Sequence, residues 1–381
     1  MKIQARKRMV TGPQQQEKEE IEGLGSDEEN TWGDYPIDTL LIRTETRTIH
    51  DILRRIEKGS FVMNPDFQRD FIWPEDKQSK LIESVLLRIP LPVFYLAEDH
   101  DGKMIVVDGL QRLSTFRRFV NNELRLKLPE RKDLHNRTFN ALPSKLQNRI
   151  EDCGLILYVI DAKVPERAKL DIFERVNGGI PLTRQQMRNC LYMGRATKFL
   201  KDEAKSNIFK KATGESLNTK TMRDREFINR FCAFSLLSID TYKGDMDDFL
   251  ANALQFINKN MTSDSLAALS SGLKLSMTNN LALFGMHAFR KHSDGQTNRN
   301  VINASLWDVM STIFANYPEE LVKSRARNVK EAFYGLLGDD DFNEAITYGP
   351  NAAKNVRYRF EKAWAVFREV LGDPQNRPEL L

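Results

Sequence analysis

Asp108-Gly109-Leu110-Gln111-Arg112 is the stretch of this 381-residue chain whose residue types and spacing point most directly to chemistry. Ahead of it, Met104-Ile105-Val106-Val107 is a short apolar run with two adjacent β-branched valines and reads as a buried strand. Behind the glycine, Leu110, Leu113, Phe116 and Phe119 recur at helical spacing. A strand, a glycine turn and a helix leave the first helical N–H groups unpaired and pointing outward, which makes an anion site. Arg112 is out of place in a first turn, where a cation opposes the helix dipole. It fits if an anion, a phosphate above all, lies over the turn and the guanidinium closes on it bidentately. The alternative is that Asp108 caps the helix and Arg112 is solvated or paired with a carboxylate.

Three further polar clusters accompany the turn. Asn64-Pro65-Asp66-Phe67-Gln68-Arg69-Asp70-Phe71-Ile72-Trp73-Pro74 is an extended run in which Gln68 and Arg69 would read a base or a phosphate, with Trp73 as a stacking surface. The even spacing of Phe67, Phe71 and Trp73 suits a packed strand face equally well. Phe173-Glu174-Arg175-Val176-Asn177-Gly178-Gly179 ends a helix, and its glycines would let backbone approach a ligand reached by Arg175 and Asn177; a plain helix terminus is the other reading. Asn355-Val356-Arg357-Tyr358-Arg359-Phe360 adds positive charge for a nucleic-acid surface, or is a solvated helix face. The sequence has no Gly-x-x-x-x-Gly-Lys-[Ser/Thr] loop, which excludes a P-loop protein.

The elements that must hold these groups are legible from periodicity. Residues 1–34 carry a basic start and a Gln/Glu run with too little apolar surface to fold, and are expected to be a disordered charged tail. From 35 to 186 strand and helix signals alternate. A strand is expected at 40–42 and a helix at 48–58, followed by an extended segment to Pro74. A helix follows that proline, then a strand pair at 92–96 and 104–107 across Asp99-His100-Asp101-Gly102, the Arg112 helix and a strand at 155–160. A helix from Pro165 ends near Gly178, and Thr183 with Gln186 forms a capping box for the next. From 187 to 381 strand signals nearly vanish and helical periodicity takes over, giving a mixed α/β domain followed by a mainly helical one. With 41% apolar and 29% charged residues, the composition is that of a globular protein, and no apolar run approaches the roughly 18 residues of a membrane span. Three scattered cysteines, no apolar leader and no paired-histidine metal motif lead to an expectation of a cytoplasmic protein with reduced thiols and no metal site of its own. The net charge of +4 permits a nucleotide or DNA partner without demanding one.

Taken in order, the motifs resemble the N-terminal domain of GmrSD-type restriction endonucleases. The run from Asn64 through Trp73 carries the likeness, as do Ser84-Val85-Leu86-Leu87-Arg88-Ile89-Pro90-Leu91-Pro92, the 107–115 block and Phe173 through Gly179. The resemblance implies an α+β chain whose first domain has the ParB/sulfiredoxin-like fold, marked by an Asp-Gly-Gln-Gln-Arg block. It makes Asp108, Gly109, Gln111 and Arg112 the signature of a nucleotide site, with Gln68, Arg69 and Asn177 at its other recurrent polar positions and Leu110 within the same turn; our own expectation for the chemistry falls on Asp108 and Arg112. Asp108 would orient Mg²⁺ or water. Leu110 departs from the block's usual first glutamine, and Gln186 stands where a glutamate is common. The family links nucleoside-triphosphate binding and hydrolysis to cleavage of modified or phage DNA. The partners implied are therefore a nucleotide, DNA, a separate nuclease or effector and, where the protein self-associates, a second copy. The nuclease half of such systems usually carries a histidine-rich HNH motif. No such pattern surrounds His287 and His292, so this chain is expected not to cut DNA by itself. Two other readings stay open: a non-enzymatic DNA-binding or scaffold protein using Arg357 and Arg359, and a metal-dependent nickase.

Overall fold

The alternating apolar runs of the first half become a five-stranded mixed sheet. A computed structural model describes residues 21, 22, 24, 41–63, 73–99, 101–176 and 182–374. The first half comprises β1 (Ile42–Thr48), α1 (Ile49–Glu57), β2 (Phe61–Val62), α2 (Glu75–Leu86), β3 (Phe94–Glu98), β4 (Met104–Asp108), α3 (Leu110–Val120), α4 (Ser144–Glu151), β5 (Gly154–Ile160), α5 (Glu166–Val176) and α6 (Arg184–Leu191). The strand order is β1-β5-β3-β4-β2. β1 with β5 and β3 with β4 are antiparallel, whereas β3 with β5 and β2 with β4 are parallel. The period-2 pattern explains the layers. Leu155, Leu157 and Val159 turn to one face and pack with Ile52, Ile82, Phe116 and Phe119 from the helices above it. Ala97, Val107 and Ile160 serve the other face, under Ala168, Phe173 and Met187 of α5 and α6.

Helices follow: α7 (Arg195–Ala204), α8 (Asn207–Thr213), α9 (Arg223–Leu236), α10 (Met246–Asn260), α11 (Ser263–Phe284), α12 (Ala304–Phe314), α13 (Glu319–Ser324), α14 (Ala326–Leu337), α15 (Asp340–Thr347) and α16 (Ala353–Leu371). They close on α12, which is buried all round, and Trp307 on it donates from Nε1 to Phe227 O at 2.7 Å. The chain is therefore α+β. No helix among the described residues is long and apolar enough to cross a membrane.

Two features depart from the sequence expectation. The first strand runs from Ile42 to Thr48 rather than ending at residue 42. Within the expected tail, Ile21, Glu22 and Leu24 are seated on the helical half. Glu22 N–H donates to Ile302 O at 2.9 Å, Ala304 N–H donates to Glu22 O at 2.8 Å, and Lys291 pairs with the Glu22 carboxylate at 2.7 Å. Ile21 and Leu24 pack against the helical core, a long-range gain that local composition does not reveal. The rest of the tail lies outside the described residues.

The capping box at α6 forms as its residues predict. Gln186 N–H donates to Thr183 Oγ1 at 3.3 Å, and Thr183 N–H donates to Gln186 Oε1 at 2.8 Å. Gln186 Nε2 also donates to Lys220 O at 2.9 Å, a bond that a glutamate carboxylate would not make. Thr183 Oγ1 in turn donates to Thr221 O at 2.7 Å. Thr183→Ala removes a cap and a tertiary bond together, so a loss of about 2 kcal/mol is expected. Urea unfolding measures it, and an unmoved midpoint would show that the cap contributes nothing.

Candidate functional site

Gly109 sits at the N-cap of α3 in the left-handed region, at φ +99°, with no side-chain cap hydrogen bond. A Cβ built there would lie 2.2 Å from Cδ1 of Phe94, so the ring of β3 fills the space a side chain would need. The same ring carries the Arg112 guanidinium, whose carbon is 4.1 Å from the ring centroid. A glycine is thus required twice over, by backbone conformation and by contact.

Arg112 is 7% exposed and turned inward. It donates to the backbone carbonyl of Pro92, to Val93 O at 3.0 Å and to Asp108 Oδ2 at 2.8 Å. Burial pulls its pKa down, and the neighbouring Asp108 carboxylate opposes that shift. This corrects the expectation of a guanidinium closing on an external anion. The carboxylate-paired alternative is the observed geometry, although Gly109 rather than Asp108 occupies the cap. Arg112 ties the start of β3 to the end of β4, and so fixes the turn.

The backbone N–H groups of Leu110, Gln111 and Arg112 have no partner among the described residues, and they lead the helix where its dipole is positive. The Asp108 side chain keeps about a third of its surface (34%) exposed beside them. The Leu110 side chain packs against the apolar core on the helical side of the sheet, which accounts for an apolar residue at that place in the block.

Gln111 reaches the second polar cluster. Its Oε1 accepts from the N–H of Trp73 at 3.1 Å, and Gln78 Nε2 donates to Trp73 O at 2.5 Å. Arg118 Nη1 donates to Gln78 Oε1 at 2.8 Å, and Lys77 Nζ lies 4.2 Å from the Trp73 ring centroid. Both backbone groups of Trp73 are thereby clamped from α2 and α3. Gln68 and Arg69, on the same cluster, lie outside the described residues, as does Asn177. Gln78 and Arg118 did not stand out in the sequence, because the pairing that gives them a role spans 40 positions.

The C-terminal pair divides. Arg357 is exposed on α16, whereas Arg359 is 0% exposed, donating to Asp308 Oδ2 at 2.7 Å and to Pro350 O. Arg359 is therefore not a contact for nucleic acid. Both arginines belong to α16, in the helical half and outside the strand–glycine–helix turn. A separate cleft of about 300 Å³ opens at the far end of the β3–β4 hairpin, between Asp99, Lys103, Lys169, Arg195 and Asn258. Its buried Lys169 is already engaged by Glu166 and Ala162 O, both at 2.9 Å. Among the described residues no group of three or more His, Cys, Asp or Glu side chains is disposed to hold a metal ion.

The sheet, the left-handed glycine and three helix-leading amides without a partner among the described residues define an α+β domain with a strand–glycine–helix turn. Residues 49–193 match the N-terminal domain of GmrSD restriction endonucleases, and that segment belongs to this domain family. The match begins with α1, ends just after α6 and encloses the turn; the helices from Arg195 on lie beyond it. No curated protein matches the chain.

Proposed function

We propose that the chain is the nucleotide-sensing subunit of a restriction or phage-defence system, acting on DNA through a separate nuclease. The observation that carries this reading is a coincidence of place: the segment matching a restriction-endonuclease domain is the one that builds the anion-ready turn. The amides of Leu110, Gln111 and Arg112 would hold phosphate oxygens, as helix N-termini do. Asp108 would orient Mg²⁺ or the attacking water, and Arg112 would act by holding Asp108 and the turn in place. Gln68 and Arg69 would join from the segment clamped at Trp73, and Asn177 from the end of α5. Hydrolysis is the second part of the proposal, and it rests on Asp108 alone.

Isothermal titration with ATP, GTP, CTP and UTP, each with Mg²⁺, is expected to give micromolar binding of at least one. Asp108→Asn preserves an acceptor for Arg112, so the variant should fold and bind while phosphate release falls by about 10²-fold or more. No heat with any of the four nucleotides would overturn the reading. Binding without phosphate release in the wild type would leave a sensor and remove the hydrolase.

A further inference from the structure

The register of the sheet sets four side chains in a row that ends at the turn. Thr44 of β1 pairs with Tyr158 of β5, Tyr158 with Tyr95 of β3, and Tyr95 with Asp108 of β4. The two tyrosine rings are neighbours, their centroids 5.4 Å apart and their planes tilted by 58°. Both are half-buried. Helices α5 and α6 cover only part of this face. Tyr95 leans on their cluster, while Ile42 and Ile156, further out on β1 and β5, stay 44% and 45% exposed. A register shift between Tyr95 and Leu96 falls at the same place, and such bulges re-aim side chains next to binding sites.

The tyrosine hydroxyls add a second observation. Tyr242 and Tyr317 each donate from their hydroxyl to a backbone carbonyl, at 2.6 and 3.0 Å. Those of Tyr95 and Tyr158 make no hydrogen bond among the described residues, so an aromatic pair with two unused polar tips stands at the edge of the covered face. From Asp108 to Tyr158 the row crosses two strand spacings, about 10 Å. That is the reach from a nucleotide's phosphates across its ribose to its base.

We infer that Tyr95 and Tyr158 are the stacking platform for the heterocyclic base of the nucleotide whose phosphates lie at the turn; this rests on the nucleotide reading above. Aromatic side chains on a sheet hold bases by their π-faces, and the hydroxyls are free to meet the ribose or the base edge. The platform accepts any base because every base has a π-face, so it supplies affinity for the nucleoside half without choosing its identity.

The test compares two ligands, the tightest-binding NTP and inorganic tripolyphosphate, both with Mg²⁺, by titration calorimetry on the full chain. Tyr95→Leu and Tyr158→Leu should each weaken NTP binding about tenfold and leave tripolyphosphate unchanged. Tyr158→Phe keeps the ring, folds without cavity formation and should retain most of the NTP affinity. Unchanged NTP binding in both leucine variants would overturn the platform. So would equal losses for the two ligands, which would mean damage to the turn. If the wild type bound tripolyphosphate as tightly as NTP, the phosphate site would stand and the platform would fall. If it bound neither, the nucleotide reading would fall and take the platform with it. Loss of single-stranded DNA binding with NTP affinity intact would also overturn it, because the pair would then serve a strand.

Discussion

Asp308→Ala is expected to be the most damaging single substitution in the helical half, costing about 3–5 kcal/mol or preventing folding altogether. Asp308 is fully buried and receives two guanidinium groups. Arg230 grips it bidentately, Nε to Oδ1 at 2.7 Å and Nη2 to Oδ2 at 2.6 Å, and Arg359 adds Nη2 to Oδ2 at 2.7 Å. Both arginines are buried, so each has lost its hydration and relies on this carboxylate for its closest charge partner. The two are not equal partners. Asp308 and nearby Glu226 outweigh desolvation at Arg230 and raise its pKa. At Arg359 burial prevails, Arg230 repels it, and its pKa is lowered. Its Nε also lacks a hydrogen-bond partner among the described residues. Arg359 is therefore the surplus cation, and Arg359→Met should cost only about 1 kcal/mol, leaving a matched Arg230–Asp308 pair. Urea midpoints at neutral pH compare the two. Since a domain's whole stability is about 5–15 kcal/mol, the gap should be unmistakable. An Asp308→Ala protein more stable than Arg359→Met would refute this account of the triad.

That triad was partly legible beforehand. Val356, Phe360, Ala363 and Phe367 form the buried stripe of α16, and Arg359 sits three residues after Val356 and four before Ala363, on the same face. Helical spacing alone places Arg359 inward and Arg357 outward; reading the cluster as charge obscured that. The hairpin, α3 and the Thr183 capping box were readable because each is set by residues adjacent in sequence. The strand from Ile42 to Thr48 was not, because apart from Ile42 it is threonine and charge. It is extended because it pairs along its whole length with β5, a partner more than a hundred residues away. Of the later helices, α14 had a usable signal in Val329, Phe333 and Leu336, whereas α13 buries only Val322 and offers none. At the turn a carboxylate partner for Arg112 was among the readings, but the one it takes, Asp108, lies in β4 ahead of a left-handed glycine, where helical spacing does not reach. The carbonyls of Pro92 and Val93 that complete the arginine's shell come from another element, and only the fold brings them there.

Gly109→Ala is the corresponding test at the turn, and it should cost about 3 kcal/mol. Left-handed backbone at φ +99° contributes about 1–2 kcal/mol for any residue with a Cβ. The 2.2 Å approach to Phe94 adds an overpacking cost of about 1–3 kcal/mol, because that ring is fully buried and also lies under the Arg112 guanidinium. The two causes separate in a double-mutant cycle with Phe94→Leu, which shortens the obstructing side chain. If contact matters, the double variant will be more stable than the sum of the single losses by about 1–2 kcal/mol, leaving mainly the backbone cost. Strict additivity would assign the whole effect to φ and remove Phe94 from the argument. The nucleotide reading adds a second readout. Displacing Phe94 also displaces Arg112, and with it Asp108 and the first amides of α3, so binding should fall by more than the loss of stability accounts for. Gly109 and Arg112 would then serve the phosphate through the shape of the turn: the glycine admits the ring, the ring seats the guanidinium, and the guanidinium holds the carboxylate beside the open amides.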